Sequence, residues 1–445
     1  MRATAMVVGI IVGASIFVQP SAIAAQIATP RGILLVWAAA GLLTLVGSLV
    51  VAELASAWPR SGGVYVFLRD AYSPAVGFLW GWAMFWSMHS GIVAAIAVVF
   101  ARYVGTWIPK GEAGTRATAV AGIVVLTAVN YVGVRQGSAV QAALTLLKVL
   151  AVALIVIVGF MAPVAPGAGM TGAPDAAGLS TPAFVAALVA GLFAYGGWHM
   201  VSYAAEETVD PVRTIPRALL LGTITVTVLY VGVNAAYLRV LPLAEVRTST
   251  RVVADFADVV IGSGGARLMA ALVVLSALGA MNGVILAGPR VYLAMARDGL
   301  LFRWLGAVHP GYRTPHRALV AQAVWASVLA VTGSYRALFT RVVYTEWIFF
   351  ALMAASLFWL RRRPGYAPAY RTWGFPVTPA LFVAASAVIV GTQLAAEPVD
   401  SAVGLLLVLA GLPVYLIWLR GRAPRASTSL AAPSPASPPA PGDPA

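Results

Sequence analysis

The stretch Gly9-Ile-Ile-Val-Gly13-Ala-Ser15-Ile-Phe17 sits in the middle of an uncharged run from Met6 to Ala24. Such a run is close to the ~20 apolar residues that cross a bilayer. Yet each of its glycines costs roughly 1 kcal/mol of helix propensity against alanine. A second uncharged run, Phe184 to Ala205, holds the same contradiction in Phe193-Ala-Tyr-Gly-Gly-Trp198. Two glycine-interrupted spans at corresponding positions of two halves are the sequence pattern expected around the cargo site of a membrane carrier. Close helix packing through small residues explains Gly9, Gly13 and Ser15 equally well at this stage.

Composition agrees that the solvent is lipid. Of 445 residues, 60% are hydrophobic and 10% charged, and the mean hydropathy is +0.88. Soluble domains carry about 25% charged residues, so this chain could not cover a water-facing surface. It has no cysteine, which excludes disulfides, thiolate metal sites and cysteine nucleophiles together. No charged leader with a small-residue cleavage site opens the sequence, so the first run reads as a retained span. Only Met1–Ala5 precede that run, which leaves open whether the protein begins here.

Hydropathy predicts about twelve spans. They lie near Thr4–Ala24, Ile33–Trp58, Pro74–Thr106, Thr118–Val134, Ser138–Val158, Pro182–Ala205, Arg217–Leu241, Arg267–Ala296, Ala318–Gly333, Val342–Leu360, Pro376–Ala395 and Ala402–Leu419. Spans one to five (residues 1–163) and six to ten (182–360) each read as a five-helix unit opened by a glycine-broken helix. An odd number of spans per unit turns the second copy over, giving an inverted repeat. Two further helices follow at 376–420, and the Pro/Ala/Ser-rich tail at 423–445 reads as disordered and cytoplasmic. Arginines such as Arg60, Arg69, Arg213, Arg290, Arg297 and Arg361 fall in loops that are cytoplasmic if both termini are inside. The net charge of +14 therefore reads as a topology signal plus attraction to lipid headgroups, with no nucleic acid partner.

Where Gly13-Ala14-Ser15 interrupt the first span, freed N–H groups at a half-helix N-terminus suit a carboxylate. Carbonyls freed on the other side suit an ammonium group or a cation. Together they describe the substituents on an amino acid's α-carbon.

These residues also carry a family resemblance. Gly9-x-x-x-Gly13-Ala-Ser-Ile-Phe17-x-x-Pro20 resembles the first-span signature of the amino acid–polyamine–organocation superfamily. Ala52-Glu-Leu-Ala55 with Pro59-Arg-Ser-Gly-Gly63-Val-Tyr65 looks like its second-span exit. Gly191-Leu-Phe-Ala-Tyr-Gly-Gly-Trp198, continuing to Glu206-Glu207 and Pro211-x-Arg-x-Ile-Pro216, is similar to the sixth span of the L-type amino acid transporters. Ser276-Ala-Leu-Gly279-Ala-Met-Asn282 with Arg290 and Ala296-Arg-Asp-Gly299 matches the eighth span and its loop. The resemblance implies an all-α integral membrane fold of the LeuT type, with a 5+5 inverted repeat plus two helices. It implies substrate contacts at Ile11, Gly13, Ala14, Ser15, Phe193, Ala194, Tyr195 and Gly196, with Phe193 as an aromatic gate. One departure is plain: the usual Gly-Ser-Gly of the first span is Gly13-Ala14-Ser15 here, which puts side-chain preference in doubt. Animal L-type transporters are tethered to a glycoprotein through a cysteine, so this chain is expected to work without a disulfide-linked subunit.

Lys148, one of two lysines, lies mid-way along the fifth span, where an unpaired ammonium costs at least ~2.5–3.5 kcal/mol. In family members without sodium coupling a lysine at this position supplies the charge that sodium brings elsewhere. Carbonyls near Gly9 and the Ser276 hydroxyl are its expected partners, and its proton would link flux to pH. Other polar residues read more simply. Glu206 and Glu207 look like loop carboxylates paired with Arg213 and Arg217. Trp82, Phe85, Trp86 and His89 share one helical face by spacing, as packing does. His199 either contacts substrate or bonds a neighbouring helix. Glu53 and Glu346, near span ends, look satisfied by water or arginine.

The function expected is secondary transport of an amino acid or related amine across the cytoplasmic membrane, sodium-independent, by proton coupling or exchange. A non-transporting sensor or a channel on the same scaffold is the alternative. No nucleophile, metal cluster or carboxylate pair marks an enzyme, and no cofactor or metal is expected.

Overall fold

The computed structural model describes residues 2–108, 111–164, 168, 180–249, 251–262 and 264–420. The expected tail at 423–445 lies outside them. Every described element is a helix. The first half holds α1 (Arg2–Ile11), α2 (Ser15–Gln26), α3 (Pro30–Ala57), α4 (Val64–Ala71), α5 (Pro74–Ala83), α6 (His89–Val104), α7 (Glu112–Val132) and α8 (Val134–Met161). The second holds α9 (Thr181–Ala194), a 3-10 helix (Trp198–Glu207), α10 (Pro211–Val240), α11 (Leu243–Thr248), α12 (Val252–Val260), α13 (Gly265–Ala287) and α14 (Pro289–Arg297). There follow a short 3-10 turn (Arg303–Gly306), α15 (His316–Thr332), α16 (Tyr335–Leu360), α17 (Val377–Ala396), α18 (Pro398–Leu409) and α19 (Gly411–Arg420).

Three spans start the same way, with a hydroxyl cap followed by proline in the first turn. Thr29 accepts from the Gly32 N–H at 3.1 Å, Ser73 from Val76 at 3.4 Å and Ser180 from Ala183 at 3.4 Å. Each cap satisfies an amide that has no intrahelical partner, and the proline gives up only a donor that would have been idle.

Among the described residues ten helices are long and apolar enough to cross a membrane, and α1 with α2, bent by 45° at their break, make an eleventh. The expected ninth span is α15, which at 17 residues falls short of the ~20 needed for a straight crossing. Twelve crossings are therefore not established by length and hydropathy. The third span departs from its expected periodicity. A π-helical turn at Met84–Met88 joins α5 to α6 and shifts the register, so Trp86 is 41% exposed while His89 is completely buried. The four residues expected on one face are split.

The core gathers around α1, which packs against α8, α10 and α13. Helix α8 shows why. Its buried residues, Gly137, Gln141, Thr145, Lys148, Val152, Ile155 and Gly159, recur every third or fourth position, while Leu146, Leu147, Leu150 and Leu154 face outward as lipid-facing leucines would. At Gly9 of α1 a Cβ would lie 2.1 Å from Thr145 Oγ1 and 2.2 Å from Gln141 Nε2, so only glycine lets the two helices meet.

Candidate functional site

Both glycine-bearing spans are broken where the glycines fall. Helix α1 ends at Ile11 and α2 begins at Ser15. Helix α9 ends at Ala194, and Gly197, at φ 90°, turns the chain into the 3-10 helix in a conformation that side chains disfavour. The amides of Ala14, Ser15 and Ile16 at the first break donate to no other element among the described residues, nor do those of Gly197, Trp198 and His199 at the second. Each break thus offers the unpaired N–H groups of a helix N-terminus.

The two breaks face one cavity of about 280 Å³. That lies just under the ~300–1,000 Å³ of drug-sized sites and suits a smaller ligand. Of the residues expected from sequence, Ile11, Gly13, Ala14, Ser15, Phe193, Ala194 and Gly196 line it. Tyr195 does not. It is fully buried behind the break, where its hydroxyl donates to the Trp37 carbonyl at 3.1 Å and its ring packs on Trp37 and Tyr230.

The carbonyls of the first break are already engaged. Lys148 Nζ donates to Gly9 O and Val12 O, each at 2.6 Å, and to Ser276 O at 3.4 Å. The partner expected from Ser276 was its hydroxyl; the ammonium meets its backbone carbonyl instead. Tyr230 of α10, which sequence reasoning passed over, places its hydroxyl 2.9 Å from Ile11 O and 3.2 Å from Ala194 O. One phenol therefore ties together the carbonyl ends of α1 and α9. A ligand ammonium would find no vacancy at Gly9, Ile11 or Val12. At the second break, Tyr195 O and Gly196 O accept nothing from the described residues outside the helices.

Below Lys148 the polar face of α8 continues. Asn282 of α13 donates to Gln141 Oε1 at 2.9 Å and accepts from Asn130 at 2.7 Å, and Thr145 donates to Ala5 O at 3.0 Å.

The end of the 3-10 helix corrects a further expectation. Glu207 pairs with Arg290, whose Nη2 lies 2.6 Å from Oε2, and Glu206 pairs with Arg297 at 3.0 Å and accepts from the Ser61 N–H at 3.1 Å. Arg213 reaches only Asp210. The carboxylates are thus bound to α14 and to the segment before α4, across the molecule and not along the loop. Tyr65 and Arg69 of α4 both reach Asp298 beyond α14, the former at 2.7 Å. Burial, reinforced by the Asp298 carboxylate, pushes the Tyr65 phenol well above its ordinary range, so it remains a donor. Together these contacts tie the 3-10 helix, α4 and the segment before it to α14 and the residue that follows it.

Glu53 is completely buried and, as expected, meets an arginine: Arg361 donates to both its oxygens, at 2.9 and 2.6 Å, and the Thr372 N–H adds a third bond at 2.7 Å. Glu346 of α16 is different. It lines the cavity, no arginine pairs with it among the described residues, and His199 Nε2 lies 3.7 Å away. His199 is fully buried and does not line the cavity. His89, equally buried, places Nδ1 3.2 Å from the Tyr292 hydroxyl, a packing contact away from the breaks.

The sequence profile of a family described as amino acid permease matches residues 1–418. The chain is 30% identical to the Serine/threonine exchanger SteT of Bacillus subtilis over 417 residues, covering 93% of this chain and 94% of the exchanger. It is 33% identical to the human Large neutral amino acids transporter small subunit 2 over 433 residues, 94% of this chain and 79% of the relative. With the human Cystine/glutamate transporter the identity is 26% over 427 residues, 94% and 84% of the respective chains.

Proposed function

This chain belongs to the amino acid permease family, and from that premise we propose that it moves an amino acid or a related amine through the cavity between its two helix breaks by alternating access. The observation that carries the reading is that both breaks border one cavity of amino acid size, where the amides of Ala14 and Ser15 and of Gly197 and Trp198 take no backbone partner among the described residues. A carboxylate fits the Ala14 and Ser15 amides, an ammonium fits the Gly196 carbonyl, and Phe193 on the cavity wall closes over them as a gate. Transport needs no covalent chemistry. The protein is a multi-pass membrane protein of the transporter class and not an enzyme, and with no cysteine it forms no disulfide with a partner.

The finer reading is that residues 1–163 and 182–360 are the two inverted units, supported by the broken helix that opens each. With both termini cytoplasmic in the cell membrane, the ion pairs of Glu206, Glu207 and Asp298 close the inner side. Lys148 then stands where sodium would sit, and flux is sodium-independent.

Exchange of radiolabelled amino acids across sodium-free proteoliposomes tests this. The parent protein exchanges at least one amino acid in a trans-stimulated manner. A Cβ at Gly13 already lies 3.3 Å from Ala280 Cβ, so Gly13→Val, with its branch, drops exchange at least ~20-fold at normal membrane yield. Undiminished exchange by Gly13→Val, or none by the parent with any amino acid, contradicts the reading.

A further inference from the structure

Glu346 is the one charged side chain among the described residues that line the cavity. It accepts no hydrogen bond from another described residue, and His199 at 3.7 Å is too distant to donate a good one. A carboxylate taken from water into an apolar cavity costs several kcal/mol unless something compensates it. The compensation is not arginine, as it is at Glu53. What shares the cavity wall with Glu346 includes three aromatic rings from its own helix and the 3-10 helix. Trp198, Trp347 and Phe350 line the same cavity, with ring centroids 5.3 Å apart for Trp198 and Phe350 and 5.8 Å apart for Trp347 and Phe350. A carboxylate beside several aromatic faces is the pairing that binds an alkylammonium group, the charge meeting the carboxylate and the polarised methylenes meeting the rings. No cationic residue lines the cavity to compete for the position.

We propose that Glu346, flanked by Trp198, Trp347 and Phe350, selects substrates that carry a second, cationic amine on the side chain. This rests on the carrier reading above and narrows its substrate class to basic amino acids and their close analogues. The helix breaks hold the α-carboxylate and α-ammonium, and Glu346 reads the far end of the molecule. His199 packs behind it among Trp80, Trp198, Tyr203 and Phe350 and leaves the carboxylate's lone pairs to the ligand.

Lysine and norleucine have the same carbon skeleton and differ in the terminal ammonium, so they isolate the interaction. Competition of each against a transported label is measured in proteoliposomes at pH 7 for the parent, Glu346→Gln and Glu346→Asp. The parent prefers lysine over norleucine at least tenfold. Glu346→Gln loses that preference while still binding norleucine, which shows that it is folded, and Glu346→Asp keeps part of the preference. Equal or better competition by norleucine in the parent overturns the proposal without touching the carrier reading, whatever the variants do. An unchanged lysine preference in Glu346→Gln makes the carboxylate an internal partner of His199 only and also overturns it. Equal weakening of both ligands assigns Glu346 to the α-ammonium and overturns it as well. Failure of the parent to exchange any amino acid is the distinct result that removes the carrier reading itself.

Discussion

Lys148, fully buried, and Glu346, half-buried, both lie within membrane-spanning helices beside the broken segments, and they differ in how far their bonding capacity is met. The ammonium donates to three carbonyls, two of them at 2.6 Å, all supplied by the protein. The carboxylate lines the cavity, accepts no hydrogen bond from a described residue and has an imidazole 3.7 Å away. A charge whose partners are all built in is part of the scaffold, because removing it strands those partners in a medium without water. A charge with open lone pairs in a cavity is waiting for a partner from outside. The difference separates what holds the first break open from what meets the cargo.

The largest expected effect is at Lys148. Lys148→Ala leaves Gly9 O and Val12 O without their donor. Charged hydrogen bonds are worth about 1.5–3 kcal/mol each, so a net loss of about 3 kcal/mol cuts sodium-free exchange ~100-fold. Substrate uptake across a pH series, with and without sodium, checks this. Strict sodium dependence in the parent, or a parent-like pH response in the alanine variant, would remove Lys148 from the mechanism. Tyr230→Phe comes next. It removes the hydroxyl shared by Ile11 O and Ala194 O while keeping the ring, so about 1–2 kcal/mol is lost and exchange falls roughly five- to thirtyfold. Exchange at the parent's rate would mean the two carbonyl ends hold their positions without it. Smallest is the change in ligand-free thermal stability for Glu346→Gln. A carboxylate that accepts no hydrogen bond gives up little when neutralised, so the apparent melting temperature stays level or rises. A fall comparable to that of Lys148→Ala would erase the contrast between the two charges.

What could be read from sequence follows the same division. The breaks at Gly13 and Gly196-Gly197 were legible because glycine inside an apolar span contradicts helix propensity, and that contradiction is local. Lys148 was legible because a lone charge in a lipid-facing run must be satisfied, though which atom of Ser276 would satisfy it was not. Tyr230, by contrast, sits in α10 with nothing nearby to mark it; its meaning comes from two carbonyls that the fold carries to it. Glu346 was assigned to a span end because it lies five residues into its predicted span, and only the packing of α16 against the aromatic wall turns it to the cavity. Glu206 and Glu207 were paired with arginines close in sequence, whereas their partners Arg297 and Arg290 arrive from a different span. The π-helical turn at Met84–Met88 could not be read at all, since a single inserted residue leaves the apolar pattern intact while rotating everything after it.

The central claim is that the cargo's carboxylate docks on the amides freed at the first break, with its ammonium held at the second. Hydrogen–deuterium exchange of the protein in lipid nanodiscs, with and without a saturating transported amino acid, reads those amides directly. Peptides covering residues 13–17 are predicted to slow at least several-fold on ligand binding, because N–H groups without intrahelical partners gain an acceptor. Protection confined to other segments, with this one unchanged, would contradict the account.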